Sequence, residues 1–424
     1  MLFPRLRGLR ILCVEDTGEA VAIRACCRAA CARCPSCGVV SARIHGAYAR
    51  VVADGAAGGR PVLIILAVRR FRCPDRSCAK ATFAEQAEDL SVRYRRRSVP
   101  LLGMLAAFGL ELGGRAGSRL AGFTASGYYP GAISECTYQG KQYCYPIGTN
   151  SVGLFYNKAM LAAAGLQPPT TWDELAADAK KLTKAPVYGM AFDATADEQS
   201  TWQLEPFFWS NGASLTKVDT PQFESALQLW VNMVKDGSAS KSVLNWGQDP
   251  DLTQQFIQGH AAMTVNGPWI FPELNQKGWK YNDQYGIVPI PTDKAGQTVV
   301  APLGGETLDL GTGGSTEQQK LAWEWVEGMQ QASTMEHVTS LMYYLPSKPA
   351  VTAQFLKGGP EYTVFAKETQ TARSRTTEYG ANYLKVSQAI WTAIQAAITG
   401  TSSVGSALQT AQGTVSRVQQ VSGG

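Results

Sequence analysis

The basic residue of this chain changes identity partway along, and that constrains the fold more tightly than any single motif. Residues 1–121 hold 19 Arg and 1 Lys, whereas residues 122–424 hold 3 Arg and 16 Lys. All 10 Trp lie in the second stretch, and 8 of the 10 Cys lie in the first. The formal charge divides the same way, +11 against −6. A sequence that evolved as one unit keeps one usage throughout, so two unrelated pieces are read here, joined near Ala121–Ser126. Each must bury its own core, and 424 residues allow it. The charge of the first piece points to a polyanion partner, most simply nucleic acid. The scattered acidity of the second describes a solvated surface.

Met1–Asp16 carries Arg5, Arg7 and Arg10, but its apolar run Ile11–Val14 is far shorter than a signal peptide requires. Val99–Leu110 follows Arg95-Arg96-Arg97 and is too short to cross a bilayer. The sequence as written is therefore expected in the cytoplasm.

In the first piece, Cys34-Pro-Ser-Cys37 is a C-x-x-C pair, and Cys73 and Cys78 form a second pair with a four-residue gap. Two short loops that each offer two thiolates can close a tetrahedron around zinc. Between them, Ala47–Val52 and Val62–Phe71 read as strands, giving the order of a zinc ribbon. So small a domain needs metal to supply folding energy. Cys31-Ala-Arg-Cys34 is an alternative pair; Pro35 and Gly38 favour Cys34 and Cys37, because they suit a tight knuckle. Cys13, Cys26 and Cys27 read as small apolar residues. His45 is read as exposed or near phosphate.

In the second piece the pattern alternates strands with helices. Tyr143–Ile147, Val152–Tyr156, Val187–Phe192, Ala261–Val265 and Tyr285–Pro289 read as strands. Thr171 with Glu174 forms a capping box that opens a helix after Pro168-Pro169. Pro221–Asp236 reads as a helix with Phe223, Ala226, Leu227 and Trp230 on one stripe. The class is α/β. Trp172, Trp230, Trp323 and Trp325 read as core. The Ser-, Thr-, Gly- and Gln-rich tail from Gly400 is expected to fray after a final helix. No P-loop, nucleophile elbow, H-E-x-x-H or dinucleotide fingerprint is found, so the chain is not read as an enzyme.

Each piece resembles a known family. Cys34-Pro-Ser-Cys37, His45-Gly-Ala-Tyr-Ala-Arg50, Val68-Arg-Arg-Phe-Arg-Cys73 and Ala81-Thr-Phe-Ala-Glu85 resemble the N-terminal zinc ribbon of ISL3-family transposases. Gly113-Gly-Arg-Ala-Gly-Ser-Arg-Leu-Ala121 resembles the start of that family's helical DNA-binding region. The resemblance implies zinc on Cys34, Cys37, Cys73 and Cys78. It also implies DNA phosphate contacts from Arg69, Arg70, Arg72, Arg93, Arg95, Arg96 and Arg97. Transposition needs an acidic triad far downstream, and the transposase-like text stops near Ala121, so no transposition is expected.

Leu154-Phe-Tyr-Asn-Lys158, Pro169-Thr-Thr-Trp-Asp-Glu-Leu175, Phe256-Ile-Gln-Gly-His-Ala-Ala-Met263, Asn266-Gly-Pro-Trp269, Gly304-Gly-Glu306 and Leu345-Pro-Ser347 resemble extracytoplasmic solute-binding proteins of ABC importers, in their sugar-binding branch. This implies a periplasmic-binding-protein-like (type II) fold lacking part of its first lobe, preceded by a small zinc ribbon and a short helical segment. The parent family is periplasmic or membrane-anchored. The implied domains are a ribbon (1–90), a basic helical segment (91–121), a junction (122–127) and a truncated solute-binding domain (128–424). The implied partners are a sugar or oligosaccharide, an ABC permease, and DNA for residues 1–121. Aromatic platforms and a polar rim suit a pyranose. The candidates are Trp202, Glu205, Trp246, Asn266, Trp269, Glu306, Tyr343 and Arg373, with Tyr344 a further platform and Gly304 and Gly305 allowing close backbone approach. With its leading lobe absent, the cleft is expected to bind weakly.

Overall fold

The computed structural model describes residues 8–17, 20–57, 60–87, 90, 127–138, 141–310 and 315–422. The chain divides into two compact units, Met1–Phe123 and Thr124–Gly424. The segment expected to be helical at 91–121 lies outside the described residues.

The first unit is built on strands β1 (Leu9–Asp16), β2 (Val21–Cys27), β3 (Ala32–Arg33), β4 (Val40–Ser41), β5 (Ile44–Ala57), β6 (Arg60–Arg72) and β7 (Thr82–Ala84). The main sheet runs β1-β2-β6-β5, with β7 also on β6. The β5–β6 hairpin is longer than the two runs read from sequence, and β1 and β2 were not expected. Alternation explains the core: Val62, Ile64, Leu66 and Val68 face one side of β6 and are buried with Ile23, Ala25 and Val52. The little hairpin β3–β4 brackets the first knuckle.

The second unit has two sheets. Its elements include α1 (Pro130–Glu135), β8 (Cys144–Asn150), β9 (Gly153–Asn157), α2 (Trp172–Leu182), β10 (Tyr188–Ala191), α3 (Glu198–Ser210) and α4 (Pro221–Lys235). They continue with β11 (Ala261–Asn266), β12 (Tyr285–Val288), β13 (Pro302–Asp309), α5 (Thr316–Met329), α6 (Ala332–Met342) and β14 (Leu345–Pro346). The last are β15 (Arg373–Ser374), α7 (Tyr383–Thr399) and α8 (Val404–Ser422). One sheet is ordered β14-β8-β13-β15, the other β10-β11-β9-β12. The chain crosses between them after β8, after β12 and after β15. These are the two lobes of a type II binding-protein fold. The larger core lies in the second lobe, where Trp230 is fully buried and stacks on Phe192 at 4.2 Å.

Local sequence signals account for the helix starts. Thr171 accepts from the Glu174 N–H, and the Glu174 side chain returns to the Thr171 N–H, the capping box read above. Thr220 caps α4, with Pro221 at the first helical position. Trp172 is buried and its indole N–H donates to the Pro291 carbonyl at 2.9 Å.

The tail does not fray at Gly400: α8 runs to Ser422. Val404, Ala407, Leu408, Ala411, Val415 and Val418 form a buried stripe that its polar composition conceals. Trp325 is not core; it is 57% exposed on α5, while its neighbour Trp323 packs edge-on against Tyr145. Cys136 and Cys144 form a disulfide joining the C-cap of α1 to the start of β8. No described helix is long and apolar enough to cross a membrane.

Candidate functional site

The Cys34, Cys37, Cys73 and Cys78 sulfurs lie within 4.8 Å of one another. The Cys34–Cys78 and Cys37–Cys73 separations are 3.8 and 3.5 Å. Four thiolates at ordinary zinc–sulfur bond lengths would stand about 3.8 Å apart at the corners of a tetrahedron, so this donor set fits zinc. The knuckle geometry follows from local bonds: Gly38 donates to the Cys34 carbonyl from a left-handed backbone at φ 75°. Backbone N–H groups of Cys37 and Ser36 aim at the Cys34 sulfur and lower its thiol to about 7, favouring the thiolate a metal needs. Phe71 and Phe83 stack at 5.9 Å beneath Cys34 and seal the site from one side. Cys31 is exposed and outside this cluster.

Of the arginines read as phosphate contacts, Arg69 is engaged internally. Its Nε donates to both Glu85 oxygens at 3.0 and 3.1 Å, and one terminal nitrogen lies 2.6 Å from Glu85 Oε2. Glu85 is only 5% exposed. Arg70 and Arg72 are exposed, Arg70 donating to Thr82 Oγ1 at 2.9 Å. Arg93, Arg95, Arg96 and Arg97 lie outside the described residues.

The second candidate site is a cleft of about 460 Å³ between the two lobes of the second unit. The first turns of α3 supply Glu198, Gln199 and Trp202; the facing lobe supplies Asn150, Gly304 and Gly305. The antiparallel register of β8 and β13 sets Asn150 opposite Gly304. A Cβ at Gly304 would stand 2.5 Å from Asn150 Oδ1, and one at Gly305 would stand 2.2 Å from the Gly148 carbonyl, so bare backbone is required at this wall.

Five sequence candidates, Trp202, Trp269, Gly304, Gly305 and Tyr344, line the cleft. Trp202 is 6% exposed, because the Arg375 guanidinium lies over its ring at 4.5 Å. Trp269 has a buried indole N–H without a protein partner. The remaining candidates are placed elsewhere. Glu205 is buried behind Trp202, bonded to Tyr383. Asn266 is buried, its amide within 3.3 Å of Thr253 Oγ1. Trp246 packs edge-on to Tyr188, and Tyr343 caps α6 with φ 57°. Glu306 and Arg373 are exposed on β13 and β15. Arg375 occupies the cleft where sequence reasoning had chosen Arg373, and it pairs with Glu198 at 2.6 Å. Asn150, Glu198, Gln199, Gln248 and Asp249 also line the cleft and were not among the sequence candidates. No spacing signals them, since Asn150 ends a strand and the others open helical turns, at Glu198 and at Gln248.

Residues 117–367 match the family described as bacterial extracellular solute-binding protein. Residues 31–78 match the zinc-finger of transposase IS204/IS1001/IS1096/IS1165. A binding protein of Brucella abortus is 26% identical over 223 residues, covering 50% of this chain and 53% of that protein. The sn-glycerol-3-phosphate-binding periplasmic protein UgpB of Pectobacterium atrosepticum is 28% identical over 244 residues, covering 55% and 49%. The chain thus spans about half the length of the curated relatives it matches. Maltose-bound MalE3 of T. maritima has the same fold, with TM-score 0.64 at 23% identity, over 74% of this chain and 82% of that one. The cyclic alpha-maltosyl-1,6-maltose binding protein from Arthrobacter globiformis follows at 0.59 and 21%, over 77% and 92%.

Proposed function

Because the chain belongs to the bacterial extracellular solute-binding protein family, we propose that residues 128–424 derive from the sugar-binding component of an ABC importer. Residues 1–121 derive from the N-terminal part of a transposase, as a zinc ribbon (1–90) and an arginine-bearing basic segment (91–121), with 122–127 as the junction. The single observation that carries this reading is the interlobe cleft, where the half-buried indole of Trp269 stands beside Asn150, Gln199 and Asp249, with Trp202 held beneath Arg375. An apolar plane edged by amides and carboxylates suits a pyranose ring. Proteins of the same fold bind maltose and a maltosyl sugar, which supports a sugar or oligosaccharide here. An ABC permease is the partner such a component would serve.

Binding is weakened. Among the described residues, the first-lobe sheet has two full strands, β8 and β13, edged by two strands of two residues each. Residues ahead of Tyr128 belong to the cysteine-bearing unit for most of their length. Affinity depends on polar partners converging from both walls. Calorimetric titration of the full chain with a panel of maltose-type oligosaccharides tests this: binding weaker than micromolar is expected, and micromolar binding would overturn the weakened-cleft reading.

A second reading is favoured by the four-cysteine cluster and the +11 charge of residues 1–121. The ribbon holds zinc through Cys34, Cys37, Cys73 and Cys78 and binds DNA through the exposed Arg70 and Arg72. Binding to duplex DNA at low salt, lost at physiological salt, is its test.

A further inference from the structure

Behind the cleft, the Tyr383 hydroxyl stands between two carboxyl groups. It is 2.7 Å from Glu198 Oε1 and 2.9 Å from Glu205 Oε1. A phenol has one hydrogen to give. Glu198 is the acceptor with every mark of a carboxylate. Its Oε1 also takes the Arg375 guanidinium at 2.6 Å, and its Oε2 takes the Ser387 hydroxyl. The phenol hydrogen therefore goes to Glu198. The Tyr383 oxygen then turns a lone pair toward Glu205 Oε1, a contact that is favourable only if Glu205 carries the hydrogen. Glu205 is fully buried, and its second oxygen has no partner. An ionised carboxylate left in that state would carry a large desolvation cost.

We propose that Glu205 is protonated in the resting protein and acts, through Tyr383 and Glu198, as a positioning residue that holds Arg375 across Trp202 in the cleft. The chain of donors runs from the Glu205 carboxyl to Tyr383 and from Tyr383 to Glu198, which anchors the guanidinium over the indole. The charged and titratable groups around Glu205 and Arg375 come from four elements. Helix α3 supplies Glu198 and Glu205, the segment after β15 supplies Arg375 and Glu378, α7 supplies Tyr383, and α1 supplies Glu135, which faces Arg375. Burial raises the Glu205 carboxyl well above its ordinary range; Arg375 and the contact with Tyr383 oppose that rise, and Glu198 and Glu378 reinforce it. The role in the cleft rests on the solute-site reading above, but the proton does not.

The test uses the full chain and needs no ligand. In infrared difference spectra of wild type against Glu205→Gln, one component of the buried protonated-carboxyl carbonyl band is expected to disappear, while the components from Glu135 and Glu368 remain. The folded state keeps a proton that the unfolded state releases. Stability therefore falls as pH rises from the ordinary glutamate range toward the raised folded value. The unfolding constant should gain up to about tenfold per pH unit from this group. Glu205→Gln, whose amide can still donate to Tyr383, should remove that contribution. An unchanged band and an unchanged pH slope would overturn the proposal. If Glu205→Gln does not fold, Tyr383→Phe serves: losing the phenol acceptor should shift the band, and an unshifted band would be contrary. For positioning, the Arg375 Nε–H proton should exchange faster with solvent in Tyr383→Phe, and unaltered exchange would refute it. Absence of any solute binding by the wild type would count against the site reading and leave the proton assignment standing.

Discussion

Replacing Arg69 with alanine should behave as a stability mutation rather than a DNA-contact mutation. Arg69 spans from the β6 strand to Glu85 with three side-chain hydrogen bonds at 2.6–3.1 Å, and its guanidinium also reaches the Ala29 carbonyl. The Glu85 carboxylate accepts the Arg69 backbone N–H at 2.7 Å as well. Removing one partner of a buried pair costs about 3–5 kcal/mol, because the other charge is left buried. The Glu85 side chain is 3% exposed but that of Arg69 is 22% exposed, so solvent screening discounts the figure. The retained backbone bond discounts it further. We expect about 2–3 kcal/mol, a 30- to 150-fold rise in the unfolding constant of the first unit. The assay is urea unfolding of residues 1–90 with zinc, followed by circular dichroism; urea is chosen because guanidinium salt would screen the pair. Arg70→Ala, whose side chain is exposed, is the control and should unfold like the wild type. If Arg69→Ala matched Arg70→Ala in stability and differed from wild type only in DNA affinity, the clamp reasoning would be wrong.

Other outcomes follow from the same structure. Removing zinc with a chelator, or Cys78→Ser, should unfold the ribbon, and metal analysis should find about one zinc per chain; a folded metal-free ribbon would contradict the site. Duplex DNA affinity of residues 1–121 should fall by orders of magnitude between low and physiological salt, and Arg70→Ala with Arg72→Ala should lessen the slope by about two. Glu135 is raised by burial to about 8. A carboxyl with a raised folded value is protonated in the native state first, so its stabilisation is complete below about pH 4.5 and is lost as pH rises toward 8. Glu135→Gln should flatten the pH dependence of thermal unfolding across that window. Trp230→Ala, which empties the fully buried contact with Phe192, should cost about 3–5 kcal/mol in the second unit.

Much of this protein could be read before folding, where the signal is local. The cysteine spacing at 34–37 and 73–78 identified all four members of the observed cluster, because a knuckle needs only a few residues and a turn. The Thr171–Glu174 capping box was equally legible, since both partners sit within one helical turn. The buried stripe of α8 was present in the sequence at helical spacing but hidden by its polar composition. The exposed Trp325 marks the opposite case, in which helical periodicity names a face and the packing decides whether anything covers it.

What the sequence determined alone was the division into two pieces, the four thiolates, the α/β alternation and the glycine pair at the cleft wall. Each depends on composition or on contacts within a few residues. Tertiary structure alone decided the use of the arginines and the carboxylates. Arg373 and Arg375 differ by two positions near a strand end, and only the crossing of the chain between lobes puts Arg375 over Trp202. Arg69 and Arg70 are adjacent, yet the strand pleat sends one to Glu85 and leaves the other exposed. Glu198 and Glu205 lie seven apart on one helix face, but one meets Arg375 at the cleft and the other is sealed behind it. Charge chemistry is set by burial and by partners distant in sequence, and those exist only once the chain has folded.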